Sequence, residues 1–282
     1  MKKPAVTPFF LDCPDRRLFC LSIQANAALQ NASPVLFIPP FAEEMNKSRH
    51  IFRKLAELLA ESGIDSLIFD PFGTGDSDGD FGEATWDIWL EDLNSAHQWL
   101  AKESGKAGRP VSIVALRTGA LLASDYIHRL HPDVDKLIFL APVVRGENFL
   151  SQFLRLRIAA EMAENSRDKS TVKSLKESLL SGQSVEVAGY TLNPSLARGM
   201  TGSVIQEGRF HGKGIQTMDW IELIAEESRP VPIMNKQAVE QLTAADLPIT
   251  LHRYCGPTFW SAVELVELPG LLELIRKLLQ GR

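Results

Sequence analysis

The residues most suggestive of chemistry lie at an elbow. The apolar run Val111-Ser112-Ile113-Val114-Ala115 passes through Leu116 and Arg117-Thr118-Gly119 into Ala120-Leu121-Leu122-Ala123. A buried strand, a tight turn and a helix in that order can raise a serine hydroxyl toward a substrate and a histidine base. Here the tip is Arg117. A guanidinium stays protonated at neutral pH, so it serves as neither nucleophile nor base. Near a helix N-terminus it is also disfavoured by the dipole, by about 0.3–1 kcal/mol. Such a cation calls for an answering charge: a carboxylate of a neighbouring loop or a bound carboxylate or phosphate.

The other candidates are weighed against that position. Gly75-Asp76-Ser77-Asp78-Gly79 fits G-x-S-x-G, but the preceding strand ends near Phe69 and no apolar helix follows directly. That context argues against Ser77 as a nucleophile. Counted from Asp76, the sixth position of a calcium loop falls on Phe81, where glycine is required. After the last strand the chain reads Tyr254-Cys255-Gly256-Pro257-Thr258-Phe259-Trp260, with no histidine. His252 lies within the strand and reads as a sheet residue, and Cys255 as a packed thiol. The loop after the first buried strand begins Pro39-Pro40, which lack N–H groups. It continues through Phe41 and Ala42 to Glu43, Glu44 and Asn46. The acid pair either favours a helix N-terminus or faces Arg117. Ligands of open α/β sheets sit beyond the carboxyl ends of the strands. Glu43, Glu44, Asn46, Asp76, Ser77, Arg117 and Trp260 form the expected ligand-binding set on that rule; Arg145 and Glu147 also fall beyond strand ends. No catalytic residue is assigned. No P-loop, dinucleotide fingerprint or HExxH is present, so no cofactor and no metal are expected.

The elements that must position these residues alternate. Val6–Leu11 and Leu18–Ile23 read as a hairpin. Pro34–Ile38, Ile64–Phe69, Val111–Ala115 and Lys136–Ala141 read as buried strands. Helices are expected over Met45–Ser62 and Trp86–Glu103, and after the elbow to about His131. That alternation predicts an α/β fold: a mostly parallel sheet with an antiparallel N-terminal hairpin. From residue 147 to 213 no buried strand is expected. The stretch holds an amphipathic helix near Phe149–Met162, a charged helix, a short strand in "VEVAGY" and an Asn193-Pro194 helix start. It reads as a helical lid inserted into a core of residues 1–146 and 214–282. Arg155 and Arg157 beside apolar residues suit lid packing or a homodimer through the lid. Met218–Ala225 and Ile249–Tyr254 resume the sheet, and Trp260–Leu279 is expected as a closing helix.

Several stretches resemble one family when taken in order. They are "PPFAEEMNKSRH" (39–50), "DPFGTGDSDGDFG" (70–82), "ALRTGALLA" (115–123), "FLRLRIAAEM" (153–162), "VEVAGY" (185–190) and "GPTFW" (256–260). Together the chain resembles the exosortase A system-associated hydrolase 2 family. The resemblance implies an α/β-hydrolase fold, an arginine at the elbow tip, and a setting in bacterial exopolysaccharide and protein-sorting loci. The hydrolase label follows the fold, and a fold does not supply a function.

Composition bounds what remains. The chain has 282 residues, 45% hydrophobic and 23% charged, with a net charge of −5. No basic field suits nucleic acid, and no apolar run reaches the roughly 20 residues of a membrane span. The three cysteines have no metal spacing. With no apolar segment after Met1-Lys2-Lys3-Pro4, they point to a reducing, cytoplasmic compartment. Three functions fit: an accessory protein (a pseudoenzyme) binding a small anionic, sugar-linked or lipid-linked molecule near Arg117; a hydrolase or transferase using Glu43, Glu44 or Asp76 with Arg117 as anion stabiliser; or a protein–protein module acting through the lid.

Overall fold

The computed structural model describes residues 4–25, 32–103, 109–164 and 170–281. The expectation for Met1–Lys3, and that for most of the polar stretch after Gln24, lie outside them. The main sheet has eight strands in the order β1-β2-β4-β3-β5-β6-β9-β10. They are β1 (Ala5–Asp12), β2 (Arg17–Gln24), β3 (Val35–Ile38), β4 (Ser66–Phe69), β5 (Val111–Leu116), β6 (Val134–Leu140), β9 (Thr217–Ile224) and β10 (Ile249–Cys255). The hairpin β1–β2 joins β4 antiparallel, and the remaining pairs are parallel. This is the α/β-hydrolase fold.

The central strands are apolar along their length because both faces are covered. Every residue of β3, β4 and β5 is buried. On one face α1 (Glu43–Glu61) and α8 (Pro269–Gln280) pack Ile51, Phe52, Leu55, Leu271 and Ile275 against Val35, Phe37, Val114 and Ile138. On the other, α2 (Trp86–Glu103), α3 (Gly119–Leu130) and α7 (Ile233–Ala244) cover Leu36, Ile113, Ala115 and Phe139. Period-2 side-chain alternation divides each strand between these two cores.

Between β6 and β9 the chain forms α4 (Gly146–Ala163), α5 (Val172–Leu180), the hairpin β7 (Val185–Val187) and β8 (Tyr190–Leu192), and α6 (Pro194–Gly202). The "VEVAGY" stretch is more than one strand. Ala188 and Gly189 both take positive φ, 50° and 83°, as a two-residue hairpin turn of the primed type requires. Asn193 caps α6 by accepting the Ser195 N–H at 2.8 Å, with Pro194 in the first turn.

One helical expectation changes, and one helix, α7, was not expected. The closing helix starts at Pro269 rather than Trp260. Proline excludes α geometry from the residue before it and suits the first helical turn, so Leu268 is the boundary. The helix α7 has no clear apolar stripe in sequence. It buries only Ala238, Val239 and Leu242 while Ile233 and Met234 stay exposed.

Candidate functional site

The elbow between β5 and α3 is a strained turn. Arg117 holds φ at 53°, and two neighbours around it, Ala42 (52°) and Ala141 (43°), are also non-glycine residues at positive φ. Each such conformation costs on the order of 1–3 kcal/mol unless its surroundings enforce it. Those surroundings are backbone contacts. The Arg117 N–H donates to the Leu140 carbonyl at 3.0 Å, and the Arg117 carbonyl accepts from Val143 at 3.1 Å. Gly119 lets α3 approach the end of β3, since a Cβ there would stand 2.6 Å from the Ile38 carbonyl oxygen.

The Arg117 side chain turns inward to a carboxylate of its own chain. Its Nε lies 3.4 Å from one Glu44 oxygen, and its Nη2 3.4 Å from the other. Nη1 donates to the Ala141 carbonyl at 3.2 Å. The guanidinium carbon lies 5.0 Å from the centroid of the Trp260 ring, a cation–π contact. Trp260 thus stands over Arg117, on the loop after the last strand. Glu44 rises above the usual carboxylate range because burial penalises its charge, and Arg117 opposes that rise.

A second carboxylate feels the same cation. Glu222 on β9 is buried and accepts from Trp220 Nε1 at 3.1 Å and Asn235 Nδ2 at 2.8 Å. Burial raises its pKa while Arg117 and these donors pull it down. The sequence signal for Glu222 is that it and Asp219 are the two acids of the otherwise apolar run Met218–Ala225, a signal that belongs to no motif.

The remaining candidates divide into two groups. Glu43 and Asn46 are exposed at the start of α1 and meet Tyr190. The Tyr190 hydroxyl donates to Glu43 at 3.1 Å, and Asn46 Nδ2 lies 3.1 Å from Glu43 and 3.3 Å from the Tyr190 oxygen. Burial and Glu43 push Tyr190 up to about 12. Tyr190 was not foreseen; only the folding of the 185–192 hairpin toward α1 brings it there. Asp76 and Ser77 belong to a different network. The Asp76 N–H donates to Asp70 Oδ2 at 3.1 Å, and its side chain is exposed. The Ser77 hydroxyl donates to the Asp70 carbonyl at 2.6 Å and accepts from the Phe19 N–H at 2.8 Å. That loop is a buttress. Asp70 is buried and holds Arg49 at 2.8 Å, and a Cβ on Gly75 would meet both.

His252 pairs with Asp219 of the adjacent strand at 2.7 Å, within the sheet. Cys255 is exposed rather than packed; Arg253 and Cys255 face outward on the sheet's edge strand. Arg145 is exposed beyond β6, and Glu147 faces Lys176 at 3.4 Å. Among the described residues no cluster of three or more His, Cys, Asp or Glu could hold a metal ion. None of the described helices is long and apolar enough to cross a membrane.

Aromatic rings fill the space between the 39–42 loop and α4. Phe41 is 2% exposed and meets Phe81, Trp89, Phe149 and Phe153 edge-on, at centroid distances of 5.4, 5.8, 5.7 and 5.1 Å. Edge-to-face packing of this kind contributes about 0.5–1.5 kcal/mol per pair beyond area burial.

Comparisons with known proteins agree with this architecture. The structure is similar to Est1E from Butyrivibrio proteoclasticus with bound ferulic acid: TM-score 0.67, 18% identity, 97% of this chain and 96% of that one. It is similar to a soluble variant of the monoglyceride lipase from Saccharomyces cerevisiae in complex with a substrate analogue: TM-score 0.63, 13% identity, 100% and 95% covered. It is also similar to α/β hydrolase domain-containing protein 10 from mouse: TM-score 0.55, 14% identity, 98% and 97% covered. At these identities the likeness is one of fold. No curated protein matches the chain in sequence. Residues 35–234, from the first parallel strand into α7, match the family described as serine aminopeptidase, S33. The chain belongs to that family, within the α/β-hydrolase superfamily.

Proposed function

We propose that this chain is a non-hydrolytic protein on the α/β-hydrolase fold, a cytoplasmic binding or accessory protein with residues 147–213 as a lid over the core. One observation carries the reading. The elbow tip bears Arg117, paired to Glu44 at 3.4 Å and covered by the Trp260 ring at 5.0 Å. A permanent cation neither attacks a carbonyl nor accepts a proton. The family's serine chemistry requires a hydroxyl where this member has a guanidinium. The six ordered motifs support a setting in exopolysaccharide and protein-sorting loci. The test is incubation of the purified protein with a fluorophosphonate probe, a series of p-nitrophenyl esters and aminoacyl p-nitroanilides. No covalent adduct and no turnover above buffer are expected. Turnover that Ser77→Ala abolishes would overturn the reading.

A second reading draws on the length of the ion pair. Both contacts exceed the roughly 2.7–2.9 Å of a tight charge-assisted bond. An anionic ligand could displace Glu44 from Arg117 and leave a carboxylate of raised pKa free to activate water, as in a non-standard hydrolase or transferase. It requires that Glu44→Gln and Arg117→Leu each abolish a detectable turnover. A screen that finds none removes it.

A further inference from the structure

Two cavities adjoin on α6, and neither includes the elbow. One, of about 530 Å³, is lined by Asp125, His128, Arg129, Arg198 and Arg209, with Trp86 at its wall. The other, of about 370 Å³, lies between α4, α5 and α6 and is lined by Leu150, Leu179, Leu180, Pro194 and Ala197. Both fall in the range of about 300–1,000 Å³ that small-molecule sites occupy. Arg198 and Gly202, four residues apart on one face of α6, line both.

The first cavity is cationic and incompletely satisfied. Two of its three arginines are paired: Asp87 holds Arg129 at 2.7 Å, and buried Asp125 faces Arg209 as an ion pair while its other oxygen takes Trp86 Nε1 at 2.8 Å and Ser203. Among the described residues no carboxylate pairs with Arg198, and Arg209 Nε is buried without a hydrogen-bond acceptor. A buried guanidinium N–H left open favours an incoming oxyanion. The second cavity is mainly apolar, with the Lys176–Glu147 ion pair and Arg198 at its rim and Leu180 73% exposed at its edge. At Gly202 an added Cβ would meet nothing within 4 Å, so the ridge between the cavities is open there.

We propose that the two cavities form one binding site for a single-chain phosphate amphiphile. The phosphate sits among Arg198, Arg209 and Arg129, and the alkyl or prenyl chain crosses Gly202 into the slot walled by Leu150, Leu179 and Leu180. This goes beyond the elbow reading and does not depend on it.

Titration calorimetry with dodecyl phosphate below its critical micelle concentration tests the site. Saturable 1:1 binding is expected, with inorganic phosphate and dodecyl maltoside each at least tenfold weaker. Arg198→Glu, at an exposed position, and Gly202→Trp, which plugs the crossing, each weaken dodecyl phosphate at least tenfold. Circular dichroism and the unfolding midpoint verify that these two variants, and Arg117→Leu, are folded under the conditions of the titration. Arg117→Leu retains the binding. Three results would overturn the proposal: no saturable binding below the micelle threshold, inorganic phosphate binding as tightly as the amphiphile, or folded Arg198→Glu and Gly202→Trp variants that bind like the parent. Loss of binding in Arg117→Leu would place the ligand at the elbow and would also overturn it.

Discussion

Glu44 lies 3.4 Å from both Nε and Nη2 of Arg117, so the cation at the elbow is answered from the first turn of α1. Each partner keeps about a fifth of its side-chain surface, 21% for Arg117 and 22% for Glu44. Removing one member of a buried pair strands the other at a cost of about 3–5 kcal/mol. With this residual exposure, Arg117→Leu is expected near the low end, about 3 kcal/mol at pH 7. Glu44→Gln should cost less, because Arg117 keeps the Ala141 carbonyl and the Trp260 ring. The sign with pH follows from burial. A carboxyl whose folded pKa is raised above its ordinary 4.5 is most stabilising when protonated, and loses stability as the pH rises through that range. The Arg117→Leu deficit should therefore shrink toward pH 4. Urea unfolding at pH 4 and pH 7 decides; an equal deficit at both would rule out a stranded Glu44.

Trp260 covers that pair from the loop after the last strand. It is 7% exposed and packs edge-on to Phe259 at 5.2 Å. Trp260→Phe keeps a ring but weakens the cation–π contact, at about 0.5–2 kcal/mol. Trp260→Ala also opens a void, at about 3–5 kcal/mol. A double-mutant cycle with Arg117→Leu should return a coupling of about 1 kcal/mol for Trp260→Phe. Strict additivity would mean that ring and cation do not interact.

The buried strands, the hairpin and the elbow were legible because buried parallel strands are apolar runs and the elbow is a local sequence feature, whereas the order of the strands in the sheet leaves no such trace. The closing helix was misplaced because Val263, Leu265 and Val266 mimic helical spacing, while Pro269 sets the actual start. Two of the site's polar partners were hidden for a different reason. Glu222 comes within the field of Arg117, and Tyr190 bonds Glu43, only through the sheet register and the folding of the 185–192 hairpin, and neither relation leaves a pattern at fixed spacing. Glu44 was readable because the first turn of α1 and the elbow both lie beyond the ends of neighbouring strands.

Ser77 is expected to act through structure alone. Its hydroxyl joins the Asp70 carbonyl to the Phe19 N–H, at 2.6 and 2.8 Å, and so ties the 70–80 loop to β2. Ser77→Ala leaves both backbone groups short of a partner, at about 1–3 kcal/mol. The free energy of unfolding should fall by that amount, and labelling by a fluorophosphonate should be absent both before and after the change. Labelling of the parent that the substitution removes would make Ser77 a nucleophile instead.

Gly119 tests whether the elbow depends on close backbone approach. An alanine Cβ would lie 2.6 Å from the Ile38 oxygen and 2.7 Å from that of Pro39, both backbone atoms that cannot swing aside. Helix propensity alone would favour alanine by about 0.8–1 kcal/mol. The clash is expected to outweigh it, so Gly119→Ala should destabilise by about 1–3 kcal/mol, as overpacking does. A neutral or stabilised variant in thermal unfolding would show that α3 can withdraw from β3 at little cost.

His97 sets an acid limit on the fold. It is 6% exposed in α2 beside Tyr126, with ring centroids 5.7 Å apart, and its Nδ1 has no hydrogen-bond partner among the described residues. Burial pushes its pKa down from 6.5 to about 4. The folded state therefore holds the ring neutral where the unfolded chain would protonate it. This contribution to stability is fully present above pH 6.5 and is lost as the pH falls toward 4. At about 1.36 kcal/mol per pKa unit, the full loss is about 3 kcal/mol. His97→Leu removes the titration, so the difference in unfolding free energy between variant and parent should grow in the variant's favour from pH 6.5 to pH 4. Guanidinium unfolding across that range measures it; a difference that stays flat with pH would mean that His97 protonates without opening the helix.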